Sequence, residues 1–135
     1  VREACRRAGP GDMAELEANV AASARAAGDF PLRAATNLEF HRILARITGN
    51  PIVVIVMNGL LDVLARFISR IGPYENGFVL PSRRRFLRLF AAGDAEAAVR
   101  EMEASLKRLQ RNYLSRVTAE GTARTSGSRR RPRRA

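Results

Sequence analysis

One cysteine, one histidine and no tryptophan occur among the 135 residues of this sequence. A single thiol, Cys5, closes no intramolecular disulfide, which excludes a disulfide-built secreted scaffold and points to a reducing compartment. A Ser-His-Asp or Cys-His device would have to use His41, and no nucleophile-elbow glycine pattern accompanies any serine. Gly-rich phosphate loops, CxxC pairs and HExxH are missing as well. No paired carboxylates share an apolar face, so general acid–base chemistry has no players. The sequence reads as that of a protein that is not an enzyme. Its longest unbroken apolar run, residues 52–57, is far short of the roughly 20 residues of a membrane span. Arg2, Glu3, Arg6 and Arg7 leave no apolar signal segment at the start. The expectation is a cytoplasmic chain without a membrane partner, and Val1 in place of Met suggests a piece of something longer.

What is present is a globular composition, 46% apolar and 27% charged, in a length that buries one core. The formal charge is +11, and it divides unevenly. Residues 119–135 carry six arginines against Glu120, a net of +5; the rest carries 18 Lys and Arg against 12 Asp and Glu, a net of +6. The division sets residues 1–117 as a folded domain and residues 118–135 as a basic tail with almost nothing to bury, expected to be disordered. Such a tail grips phosphates by counterion release, yet electrostatics of this kind name no partner.

The pattern along the chain is helical and lacks both strands and internal repeats. Residues 1–8 read as the end of a helix stopped by Gly9-Pro10-Gly11. Asp12, with Glu15 three residues on, is a cap for the next helix, which Gly28 ends. Asp29 caps a third, with Pro31 in its first turn, running to about Thr48. Asn50-Pro51 opens a fourth helix that is apolar nearly all round to Ile71, a pattern expected of a helix through the centre of a bundle. Gly72-Pro73 ends it, residues 74–80 form a loop, a short helix starts at Pro81 or Ser82, and the last starts at Gly93-Asp94. The fold class is all-α, an antiparallel bundle of about five helices plus a truncated first one.

Polar residues interrupt three of the core-facing stripes. Asn37 and His41 share a stripe with Phe40, Leu44 and Thr48; Arg83 shares one with Phe86 and Phe90; Ser105 lies among Ala98, Met102, Leu109 and Tyr113. Arg83 is therefore the inward member of the Arg83-Arg84-Arg85 run. Taken singly, these are a satisfied core histidine, a snorkelling arginine and a hydroxyl bonded to its own helix. Taken together, they describe a ligand pocket between helices, because a buried arginine needs an anion or a carboxylate.

The stretch Asn37-Leu-Glu-Phe-His41-Arg-Ile-Leu-Ala-Arg-Ile-Thr-Gly-Asn50-Pro51 resembles the FCD domain, the ligand-sensing domain of FadR-type GntR transcription regulators. Arg6-Arg7-Ala8 with Asp12-Met-Ala-Glu-Leu-Glu17, Gly28-Asp29, and Gly93-Asp94-Ala-Glu-Ala-Ala98 through Met102 extend the likeness over about residues 1–117. The resemblance implies a bundle that binds a small molecule, often a carboxylate metabolite, and acts as a homodimer on DNA through a winged helix-turn-helix that this chain lacks. Many members hold a divalent metal with one Asp and three His. Those positions fall here on Asn37, His41, Arg83 and Ser105, and only His41 is of the family's ligand set. An amide, one imidazole, a guanidinium and a hydroxyl do not replace a carboxylate and three imidazoles, so no metal or other cofactor is expected.

The expected site is then an anion site. Arg83 holds a carboxylate by a two-pronged charge-assisted pair, and Asn37, His41 and Ser105 add hydrogen bonds. Two other readings remain open at this stage. One is a degenerate pocket in which Arg83 pairs with an internal acid. The other, from a different class, is a helical nucleic-acid-binding or scaffold protein acting through its Arg-rich tail.

Overall fold

The computed structural model describes residues 1–72 and 76–127, with side chains placed through residue 118. Six helices and no strand occur among them: α1 (Arg2–Arg7), α2 (Pro10–Arg25), α3 (Phe30–Ile47), α4 (Pro51–Ile71), α5 (Val79–Ala91) and α6 (Ala95–Gly127). The fold is an all-α bundle. α3 packs on α2 and α4, α5 packs on α6 and α2, and α1 lies against α3 and α6.

Helix starts follow the chemistry of their first residues. Asp29 Oδ1 accepts the Leu32 N–H at 2.9 Å, and Asn50 Oδ1 accepts those of Ile52 and Val53 at 2.9 and 3.4 Å. Pro31 and Pro51 sit where the helix needs no N–H donor. α2 starts earlier than Asp12, which corrects the expected cap. Gly9 is the capping residue and Pro10 opens the helix, while Asp12 reaches back to accept the Gly9 N–H at 2.8 Å. Glycine has no side chain to return the bond, so this is half of a capping box. α2 also ends at Arg25, before Gly28, and α5 begins at Val79, before Pro81. The residues expected as the loop after Gly72 lie partly outside those described.

Gly49, between α3 and α4, has φ +63°, the left-handed region that other residues enter at a cost. A β-carbon there would stand 2.8 Å from the Arg7 guanidinium, so α1 is laid directly across this turn.

The main core joins five helices around Phe40, Phe86, Leu16 and Ile43, each nearly inaccessible. Phe40 and Phe86 meet edge to face at 5.5 Å, and Phe86 stacks on Phe90 at 5.4 Å. A smaller cluster, Leu38, Leu61 and Ile68, joins α3 to α4.

α4 does not run through the centre of the bundle, which corrects the expectation drawn from its composition. Only Leu61, Ile68 and Ile71 are buried, while Ile52, Ile55, Val56, Leu60 and Val63 are each more than half exposed. Among the described residues α4 packs chiefly on α3, and Phe67 meets Tyr113 of α6 edge to face at 6.0 Å, which leaves this apolar surface uncovered. By length and composition α4 could also cross a membrane, with a mean hydropathy of 2.0 in its most apolar window. The unbroken-run criterion misses this because Asn58 and Gly59 interrupt the pattern without ending the helix. One such helix does not indicate a membrane protein, and Asp62 in its middle is paired with Arg42 at 2.9 Å.

α6 continues to Gly127, into the segment expected to be disordered; residues 128–135 lie outside those described.

Candidate functional site

Three elements deliver the site. The Asp29 cap sets the phase of α3, which turns Asn37 and His41 toward α2 and α5. On α5 the burial of Phe86 and Phe90 fixes the rotation that carries Arg83 inward, leaving 5% of it accessible, while Arg84 and Arg85 stay exposed. Glu101 of α6 holds that rotation from outside, accepting from Ser82 at 2.6 Å and pairing with Arg85 at 2.8 Å.

Arg83 Nη2 donates to His41 Nε2 at 2.7 Å. A guanidinium has only donors, so Nε2 is the acceptor and the ring proton sits on Nδ1. Burial, and secondly the Arg83 charge, lower the His41 pKa to about 3, so the imidazole is neutral at physiological pH. The guanidinium lies over the Phe40 ring, 4.1 Å from its centroid, and Nη1 reaches Met102 Sδ at 3.4 Å. Burial lowers the Arg83 pKa to about 10, which still leaves it charged at neutral pH. Its Nε is buried without a hydrogen-bond partner, and among the described residues no carboxylate forms an ion pair with it.

This charge faces a cavity of about 280 Å³ bounded by α2, α3, α4, α5 and α6. Asn37, His41 and Arg83 line it together, as do Leu38, Leu64 and Tyr113. Asn37 Oδ1 accepts from Ser23 Oγ, another lining residue, at 3.2 Å. No Asp or Glu is among the lining residues described. The structure thus brings together three of the four residues expected from the sequence. Ser105 is buried on α6 but is not part of the cavity wall; Met102, one turn earlier, is the α6 side chain that touches Arg83. Ser23 was not foreseen. Its signal was available, since Leu16, Val20 and Ser23 fall on one buried face of α2.

A second cavity, an outer groove of about 540 Å³, runs between α3 and α4. Phe30, Ala34, Leu38 and Ile68 line both it and the inner cavity.

With this geometry in view, the comparison with known families is decisive. The FCD domain family matches residues 1–108. The chain belongs to the FCD family. It is accordingly an effector-binding regulatory domain of the GntR/FadR type. No curated protein and no solved structure matches it.

Membership raises the question of the divalent cation that many FCD domains hold. The donor set here does not fit one. The His41 nitrogen that faces the site is occupied by a guanidinium, a cation in its own right, and no cluster of three His, Cys, Asp or Glu occurs among the described residues.

Proposed function

We propose that this FCD domain senses a small organic anion, carboxylate-like in character, that Arg83 holds without a metal. The observation that carries the reading is a guanidinium 5% accessible, unpaired with any described carboxylate, on the wall of a 280 Å³ cavity. Burying a charge without a counterion is costly, and an incoming anion repays that cost with charge-assisted hydrogen bonds. Asn37 and the neutral His41 flank the position and supply polar contacts. His41 also orients the guanidinium, because its only acceptor nitrogen on that side is already in use.

The regulator would act as a cytoplasmic homodimer, with DNA contact assigned to a winged helix-turn-helix and not to the bundle. The exposed apolar face of α4 supports the dimer: a stripe of Ile, Val and Leu in water is a surface built to be covered. A twofold axis would let the same stripe on two copies cover itself.

The test of the sensing reading is thermal stabilisation by carboxylates. Wild type should gain stability with a bound carboxylate, Arg83→Ala should lose that gain, and native mass spectrometry of the purified chain should show a small anion that is absent from the variant. An unchanged shift in Arg83→Ala would remove the anion site. Stoichiometric zinc or nickel binding that depends on His41 would remove the metal-free part.

A further inference from the structure

The reading of an Arg83-held anion leaves the rest of the ligand undefined, and the cavity walls define it. Polar groups lie at one end, where α3 meets α5: Asn37, His41 and Arg83. The remaining wall is mostly apolar, from Leu64 and Ile68 of α4 and from Leu106, Leu109 and the Tyr113 ring of α6, with Ser23, Arg33 and Asn76 as its other polar side chains. Leu106, 44% exposed, stands at the rim.

We infer that the effector is a monoanion with an apolar body, its charged end on Arg83 and its hydrocarbon against α4 and α6. This rests on the anion-sensing reading and adds charge number, polarity and size to it. The charge number follows from the cations. Among the described lining residues Arg83 is the deeply buried cation. Arg33 also lines the cavity, but it is half-buried and tied to the wall, donating to the Ala27 carbonyl at 3.0 Å with its guanidinium over Phe30, so its charge stays at the partly solvated side. A second negative charge carried toward Leu64, Leu106 and Leu109 would lie against hydrocarbon and would lose its water without a counter-charge. A polyhydroxylated sugar acid is disfavoured for the same reason, since the leucine and isoleucine side chains that make up most of this wall offer its hydroxyls no hydrogen bonds. An apolar body, by contrast, gains from every methylene it buries.

Size follows from volume. About 280 Å³ is at the small end of ligand pockets, which span roughly 300–1,000 Å³. A benzoate- or hexanoate-sized molecule matches it, and a coenzyme thioester does not.

The experiment is calorimetry and thermal shift at neutral pH with acetate, hexanoate, benzoate, succinate and inorganic phosphate, on wild type, Arg83→Ala and Leu109→Gln. Leu109 is only half-buried, so its variant folds without a large hole in the core. Hexanoate should bind roughly 250-fold tighter than acetate, since four buried methylenes at about fourfold each multiply. Benzoate should behave like hexanoate, and succinate and phosphate should bind at least tenfold more weakly than either. Leu109→Gln should weaken hexanoate and benzoate while leaving acetate unchanged. Arg83-dependent binding of acetate, hexanoate and succinate within threefold of one another would overturn this inference and leave the anion site standing. Tightest binding by succinate or phosphate would overturn it in the same way. No Arg83-dependent binding by any probe would overturn both.

Discussion

Replacing Arg83 by Met should make the unliganded protein more stable. The side chain would keep an unbranched apolar stem as far as the Nε position and would lose the guanidinium, with its charge and its stacking on Phe40. Burial lowers the Arg83 pKa to about 10, and at about 1.4 kcal/mol per unit confining the cation costs roughly 3 kcal/mol in the fold. Against this stand the stacking on Phe40, about 0.5–2 kcal/mol, and the bond to His41, about 1 kcal/mol net. His41 Nε2 loses its donor in the variant, but it lines a cavity that water can enter. The balance is a gain of about 0–1.5 kcal/mol, at the low end of what is seen when buried ionic groups give way to apolar ones. At this chain length that is about 3–5 °C per kcal/mol in Tm. Urea and thermal denaturation of both proteins, at one protein concentration and without ligand, measure it. A variant less stable than wild type by more than about 1 kcal/mol would refute the reasoning. Arg83 would then gain more from its protein partners than burial costs, and the site would have no need of an anion.

Three further outcomes follow from other parts of the molecule. His41 has a folded pKa of about 3 against 6.5 unfolded, so its neutral form stabilises the fold fully above pH 6.5 and that contribution is lost as pH falls toward 3; wild type should lose about 1–2 kcal/mol between pH 6.5 and about pH 5, and parallel denaturation curves for wild type and His41→Gln across that window would contradict the burial. Ile55→Glu, on the exposed stripe of α4, should convert a dimer to a monomer in sedimentation analysis with the helical content unchanged, whereas a wild type that is monomeric at high concentration would remove the interface. Gly49→Ala should cost about 1–2 kcal/mol for forcing a β-carbon into the left-handed region, with only a small addition from Arg7, whose end is free to move; an unchanged urea midpoint would count against the strained turn.

Local chemistry was readable along the chain wherever a side chain bonds its own helix. Asp29, Asn50 and Pro51 behave as written because a cap acts over three residues. Asp12 shows the limit of that logic. An aspartate near a helix start can cap it or reach back from its first turn, and the two readings differ in where the helix begins while using the same carboxylate. The inward turn of Arg83 was legible from its spacing to Phe86 and Phe90, since 100° per residue leaves only one of three consecutive arginines on that face. Its bond to His41 was not, because a pair separated by 42 residues depends on how α3 and α5 pack. Ser105 shared a stripe with the site and missed its wall, for a stripe specifies a direction but not the depth at which the cavity ends. The position of α4 was the largest departure. Hydropathy records which surface avoids water and is silent on whether the same chain or another copy covers it.

Phe30, Ala34, Leu38 and Ile68 form a partition one side chain thick between the inner cavity and the outer groove. A molecule seated inside presses on the same four residues that a body lying outside would touch. Close-packed side chains yield little, so a shift of a few tenths of an ångström on one face appears on the other. The two occupancies are therefore neighbours across a membrane-thin wall of protein, and a signal between them has no helix length to travel.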